Sequence, residues 1–239
     1  MSQKKIGTFY GVGVGPGDPE LITRKAERIL TTVDWIFLPS GGRSGSSFVR
    51  RIVEPLGLPP RKFRPVSLCM SRDRTEDGNA YLRAASEIVE ELRQGKSVVW
   101  ITEGDPLFYS TFLHLYEELC RYPEVRVEII PGVTSASAAA ARIGFPVARL
   151  DDRVAVVPAF YGMQRLPALL DEFATVFLLK VNTIFDQLLA ELASVRGPVR
   201  AVYLEQVGTP AERVVTDLES LRGKELSYFS LVILRKEEQ

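Results

Sequence analysis

The chain of 239 residues is short of the groups most often used for metal and redox chemistry. It has one histidine, His114, and two cysteines, Cys69 and Cys120, far apart in sequence. These cysteines make neither a disulfide framework nor a Cys-x-x-Cys pair, and without a His/Cys cluster no protein metal site is expected. Such sparing use of cysteine fits a reducing compartment, so a cytoplasmic setting is expected. Charge of one sign is lacking too: Lys+Arg and Asp+Glu both number 30, for a formal net charge of zero. A protein that holds nucleic acid through its phosphates carries a basic excess, so no nucleic-acid partner is expected. Long hydrophobic runs are missing. The longest uncharged stretch, Ile129 to Ala141, is mostly small residues, and it falls short of the about 20 apolar residues that a membrane helix needs. Met1-Ser2-Gln3-Lys4-Lys5 leads straight into a glycine-rich strand pattern with no apolar signal core, so no membrane partner is expected.

What is present is an ordinary globular composition, 46% hydrophobic and 25% charged. Strand and helix patterns alternate from end to end. Strands are predicted at Thr8 to Val14, Val33 to Leu38, Arg64 to Leu68, Ser97 to Thr102 and Val125 to Ile130. Between them helices are predicted at Pro19 to Leu30, Ser46 to Glu54, Glu76 to Gln94 and Phe112 to Arg121. Asp18 suits the cap of the first helix and Pro19 its first position. In the second half, helices are predicted at Ser135 to Arg142, Leu166 to Glu172 and Phe185 to Ser194. Strands are predicted there at Val154 to Val157, Thr175 to Leu179, Val199 to Leu204 and Tyr228 to Leu234. Alternation of this kind predicts an α/β architecture with mostly parallel sheets. The Ile130-Pro131-Gly132 turn, near mid-chain, sets the expected boundary. Two α/β domains, residues 1–130 and 131–239, would place a ligand cleft between them.

Three loops stand out. Gly11-Val-Gly13-Val-Gly15-Pro16-Gly17-Asp18-Pro19 sits between a strand and a helix, where nucleotide-binding loops sit. It fails the dinucleotide fingerprint, because Pro16 and Asp18 occupy the positions of the required glycine, and it lacks the Gly-Lys-Ser/Thr of a phosphate-binding loop. Asp18 would also repel phosphate. The pattern reads as a tight turn or as a backbone-lined wall for a ligand without phosphate. Thr102-Glu103-Gly104-Asp105-Pro106-Leu107-Phe108-Tyr109-Ser110 ends another apolar strand. Ligands of open α/β sheets bind at carboxyl strand ends, where Asp105 could hold a hydroxyl or a cation. Pro131-Gly132-Val133-Thr134-Ser135 ends a third strand and opens a helix of small residues. Its hydroxyls serve as helix caps or face a ligand.

Taken in order, YGVGVGPGDPELIT, TEGDPLFYST, PGVTS, FLLKV and YLEQVGTPAERVV resemble the tetrapyrrole methylases. The resemblance runs from about Phe9 to Leu234. TEGDPLFYST, PGVTSASAAAA and the closing Tyr228-Phe229-Ser230-Leu231 are most similar to the branch acting at C(20) of precorrin-2, with its anaerobic counterpart acting on cobalt-factor II. Uroporphyrinogen methylases usually carry a Gly-Arg pair where this chain has Tyr109-Ser110-Thr111. The resemblance implies two α/β domains with S-adenosylmethionine folded between them, S-adenosylhomocysteine as product, and a homodimer. It implies that Pro16 lines the cleft from the first loop and that Glu103, Gly104, Asp105 and Phe108 form the wall around the methionine end. Thr134 and Ser135 would lie near carboxylate and ribose, and Leu179, Val207 and Gly208 by the adenine. The alternatives are another ring position within the family, or a module that binds cofactor or tetrapyrrole without catalysis.

Tetrapyrrole precursors carry many carboxylates, and the chain concentrates cations in one segment. From Arg43 to Arg74, seven arginines and Lys62 stand against Glu54 and Asp73. Arginine is the side chain best shaped to grip a carboxylate at both oxygens. Pro39 to Ser47, rich in glycine and serine, reads as a flap over the acceptor. Arg43, Arg50 and Arg72 are the expected contacts to substrate carboxylates, with Tyr109 and Ser110 beside the acceptor. The meso carbon C(20) of a reduced tetrapyrrole is itself electron-rich, so no strong base is required and no residue is assigned as catalyst. His114 falls in a helix pattern and reads as a surface or packing residue.

Overall fold

The computed structural model describes residues 6–41, 47–68, 74–159 and 166–237, with the backbone alone for 74–77. Arg43, Cys69, Arg72 and most of the expected flap lie outside the described residues. The chain divides into two compact units between Thr134 and Ser135.

The first unit is built on five parallel strands, β1 (Thr8–Gly13), β2 (Trp35–Ser40), β3 (Phe63–Ser67), β4 (Val98–Thr102) and β5 (Arg126–Ile130), in the order β3-β2-β4-β1-β5. Parallel neighbours need crossovers, and α1 (Arg24–Thr32), α2 (Phe48–Val53), α3 (Arg74–Arg93) and α4 (Phe112–Leu119) supply them. Every residue of central β4 is buried, as its unbroken apolar run requires of a strand covered on both faces. Phe9, Phe37 and Trp100 pack with Ile88 and Leu92 of α3 and with Phe112 and Leu115 of α4. Phe112 stacks on Phe9 with ring centroids 6.3 Å apart, and burying such a ring contributes about 1.5–3 kcal/mol. Gly11 makes the room: a Cβ there would lie 2.3 Å from the Phe112 ring.

The helix predicted from Pro19 to Leu30 is two pieces. Asp18 accepts from Glu20 N at 2.9 Å and caps a single 3₁₀ turn, Pro19–Leu21. Ile22 is then extended, and Thr23 caps α1 afresh by accepting from Ala26 N at 3.2 Å. Two competing caps, Asp18 and Thr23, divide the segment.

The second unit holds β6 (Val154–Pro158), β7 (Thr175–Leu179), β8 (Val199–Glu205), β9 (Arg213–Val215) and β10 (Ser230–Lys236), in the order β6-β7-β10-β8-β9. Its helices are α5 (Ser135–Arg142), α6 (Leu166–Glu172) and α7 (Phe185–Ser194). The expected α/β architecture is present, but this sheet is mixed. β6 and β7 run parallel, whereas β10 is antiparallel to both β7 and β8, and β9 to β8. Leu166, Leu170, Leu188 and Leu189 cover Tyr203, Val232 and Leu234, and Phe185 meets Tyr203 edge to face at 5.5 Å.

Charge fastens the amino edges of β2, β4 and β7. In the first unit, Glu91 takes Trp35 Nε1 at 2.8 Å and Lys96 Nζ at 2.6 Å, while the Arg64 guanidinium lies 3.7 Å over the Trp35 ring. Burial works against the Glu91 charge, yet the Lys96 and Trp35 hydrogen bonds outweigh it and lower the carboxyl's pKa. In the second unit, Arg235 reaches Asp152 Oδ2 at 2.8 Å and Thr175 Oγ1 at 3.2 Å. The Arg235 hydrogen bond, helped by Arg149 N, holds Asp152 below the usual carboxylate range.

Candidate functional site

The carboxyl ends of β1, β4 and β5 stand level, with Gly13 beside Thr102 and Val12 beside Ile130. Their loops then touch backbone to backbone. Gly104 N donates to Gly15 O at 2.8 Å, and Val14 N to Thr102 O at 3.0 Å. A Cβ on Gly13 would lie 2.3 Å from Gly104 O and 2.8 Å from Gly132 N; one on Gly132 would lie 2.1 Å from Gly104 O. Gly15 and Gly104 hold φ of 82° and 64°, a region in which a Cβ is costly. The three loops therefore form one floor of bare backbone, and Pro16 is buried within it.

Asp105 ties this floor together. Its Oδ2 accepts from Gly132 N at 3.0 Å and its Oδ1 from Leu107 N at 2.9 Å. Both oxygens thus serve the protein's own backbone, so Asp105 shapes the loops whatever else it meets. Ser110 Oγ lies 2.8 Å from Thr102 Oγ1 and accepts from Phe112 N at 3.1 Å, which closes the loop onto α4. Between these ties Tyr109 sits at φ 53°. A left-handed conformation costs a residue with a Cβ roughly 1–2 kcal/mol. The tied turn presents Leu107, Phe108 and Tyr109 outward, 53%, 40% and 43% exposed. Glu103, Thr134 and Ser135 are half-buried. From Gly11 to Pro19, Glu103 to Thr111 and Pro131 to Ser137 the sequence has no lysine or arginine, but three acids. Such walls disfavour phosphate and suit a cation.

In the second unit, Leu179 at the end of β7 pairs with Leu231, and Leu231 with Leu204 of β8. Past these leucines the chain turns twice through positive φ, at Lys180 (57°) and Gln206 (50°). Lys180 N donates to Ser230 O and Gln206 N to Phe229 O, each at 2.8 Å, so one segment holds both turns. Val207 is buried, and Gly208 N donates to Glu212 Oε2 at 2.8 Å. The other Glu212 oxygen pairs with Arg142 of α5. Below the turn, buried Glu205 accepts from the Tyr203 hydroxyl and from Ser227 N at 3.1 Å, and it pairs with Arg213 at 2.9 Å. Burial, then the neighbouring Glu205, pushes the Tyr203 pKa up, so this phenol stays protonated.

The model of the tetrapyrrole (corrin/porphyrin) methylases matches residues 8–222, which takes in the whole first sheet and the second up to β9. The chain belongs to this family. It is 33% identical over 244 aligned positions to a precorrin-2 C(20)-methyltransferase of Sinorhizobium sp, covering 98% of this chain and 97% of that protein. It is 31% identical to a cobalt-precorrin-2 C(20)-methyltransferase of Salmonella typhimurium, covering 97% of each. Among solved structures, the uroporphyrin-III C-methyl transferase of Thermus thermophilus complexed with S-adenyl homocysteine matches with a TM-score of 0.67 at 27% identity. That match covers 96% of this chain and 97% of the Thermus protein.

Within this methylase the expected residues divide by unit. The structure gathers Pro16, Glu103, Gly104, Asp105, Phe108, Tyr109 and Ser110 on the β1 and β4 loops. Thr134 closes the β5 loop and Ser135 begins α5. Leu179, Val207 and Gly208 sit on the β7 and β8 ends. Arg50 lies on α2, with its guanidinium 3.8 Å over the Phe63 ring. His114 is exposed on α4, and its ring meets Tyr81 at 5.5 Å. Among the described residues no His, Cys, Asp and Glu cluster could hold a metal, and no helix is long and apolar enough to cross a membrane. Sequence reasoning missed Glu205 and Glu212, which brace the β8 turn. The signal was there for Glu205, an acid closing the apolar run AVYL, since an acid is rarely buried without partners.

Proposed function

We propose that this chain is an S-adenosylmethionine-dependent C-methyltransferase acting at C(20) of precorrin-2 or cobalt-factor II in cobalamin (vitamin B12) biosynthesis. The observation that carries the reading is the near-complete alignment to two relatives whose names give that ring position. Loop chemistry supports it. A bare-backbone floor with acids and no cations admits a sulfonium nucleoside and repels phosphate. The donor supplies an electrophilic methyl group. C(20) contributes the electron pair of the new C–C bond, the S–C pair stays on sulfur to give S-adenosylhomocysteine, and C(20) loses a proton. The protein's part is alignment, which supplies up to about 7–11 kcal/mol. Pro16, Glu103, Gly104, Asp105, Phe108, Thr134 and Ser135 serve the donor's methionine and ribose, with Asp105 acting through the loops it ties. Leu179, Val207 and Gly208 serve its adenine, while Tyr109 and Ser110 form the acceptor side. The enzyme works in the cytoplasm as a homodimer.

The test is mass spectrometry after incubation with S-adenosylmethionine and, separately, precorrin-2 and cobalt-factor II. One added methyl on either acceptor, placed at C(20) by NMR, is the expected result, and the productive acceptor tells whether cobalt is present. Methylation elsewhere on the ring, or none by folded protein, overturns the reading.

A further inference from the structure

Non-glycine residues with positive φ number four among the described residues: Tyr109, Leu150, Lys180 and Gln206. Leu150 lies in an exposed surface turn. The other three lie at the carboxyl ends of β4, β7 and β8, on the candidate loops. Strain of this kind persists only where the surroundings over-determine it, and it gathers at functional sites. At Lys180 the strain is tied to a charge. No ion pair of the described residues includes its ammonium. Nζ lies 5.4 Å from the centroid of the Tyr228 ring, which is itself 39% exposed and set edge to face with Phe229. The Lys180 N–H bond to Ser230 O fixes the turn, and buried Leu179 and Val181 fix both flanks. A surface lysine without a task needs none of this.

We propose that Lys180, steadied by Tyr228, anchors a peripheral carboxylate of the tetrapyrrole acceptor. The inference rests on the methyltransferase reading above. An ammonium on an aromatic face keeps its charge and its N–H donors for an incoming anion. The acceptor offers several carboxylates, and neither turn beside Phe229–Ser230 offers another cation, since Gln206, Val207 and Gly208 follow β8.

The experiment compares wild type with Lys180→Gly, Lys180→Met and Lys180→Arg. Glycine takes the left-handed turn freely, so Lys180→Gly removes the charge without unfolding the turn. For Lys180→Gly and Lys180→Met, the KM for the productive acceptor, precorrin-2 or cobalt-factor II, should rise about ten- to hundred-fold, the loss expected of a charge-assisted contact. Their calorimetric affinity for S-adenosylhomocysteine should stay within about twofold, and Lys180→Arg should restore most of the acceptor affinity. Titration with uroporphyrin, read at its main absorption band, should give the same order without any turnover. Wild type that binds no tetrapyrrole overturns both readings. Wild type that binds, with Lys180→Gly unchanged in KM and in titration, overturns this one alone. Equal losses of S-adenosylhomocysteine and acceptor affinity would make Lys180 a structural residue and overturn it as well.

Discussion

The two sheets differ in how they finish their strands, although Tyr109, beyond β4, shares the strained turn of the second. In the first unit, Gly13, Gly104 and Gly132 strip the side chains away, and three loops press backbone on backbone with the Asp105 carboxylate as their tie. In the second, Lys180 and Gln206 make turns that glycine would make freely, and they keep their side chains. A glycine edge fixes a shape that something large can approach closely. A strained edge fixes the direction of a side chain. The opposite edges show no such contrast, because both units fasten them with ion pairs, Glu91 to Lys96 and Asp152 to Arg235.

The comparison breaks most sharply at Gly132. In Gly132→Ala the new methyl meets Gly104 O, a backbone atom that cannot swing aside as a side chain would. We expect a loss of about 2–4 kcal/mol in urea denaturation and at least a tenfold weaker S-adenosylhomocysteine affinity by calorimetry. A variant as stable as wild type would mean that the loops are not pressed together. A middling effect is expected at Asp152→Asn. The folded Asp152 carboxyl titrates below its unfolded value of about 3.9, so its stabilisation is present above that pH and is lost as pH falls through the folded value. Melts should show the variant less stable at pH 7, with the gap closing toward pH 3. An equal gap at both pH values would remove charge from the account of that edge. The smallest effect belongs to Gln206→Gly. Relief of the left-handed turn offsets the greater freedom of the unfolded chain, so calorimetry should read between no change and about 1 kcal/mol of stabilisation. A clear loss would show that the Gln206 side chain, and not its backbone, holds the turn.

Most elements were legible because their patterns are local. VVWI announces a strand buried on both faces, and Gly95, with φ 83°, marks where α3 has run out. What was hidden depends on partners distant in sequence. Nothing in SLVIL says that β10 runs against β7 and β8, because strand direction is set by connections and not by the residues of the strand. β9 has three residues, too few for a period to show. Thr23 was overlooked as a cap because Asp18 and Pro19 already made a complete start signal, and both signals are used. In the site, the loops were legible as loops, yet the work of Asp105 was not. A carboxylate in a Gly-Asp-Pro turn reads as a group for a ligand, whereas its bond to Gly132 spans 27 residues and exists only once β4 and β5 flank β1.

Gly11 and Phe112 form a joint constraint. The ring that stacks on Phe9 also fills the space above Gly11, and the same α4 turn carries the Ser110 tie to Thr102. In evolutionary terms these two positions are one character. A side chain at 11 becomes tolerable only in a lineage that has already shrunk the residue at 112, and that lineage loses part of the packing that seats the Tyr109 turn. Drift at either position is thereby made conditional on the other, 101 residues away in a chain whose first sheet brings them into contact.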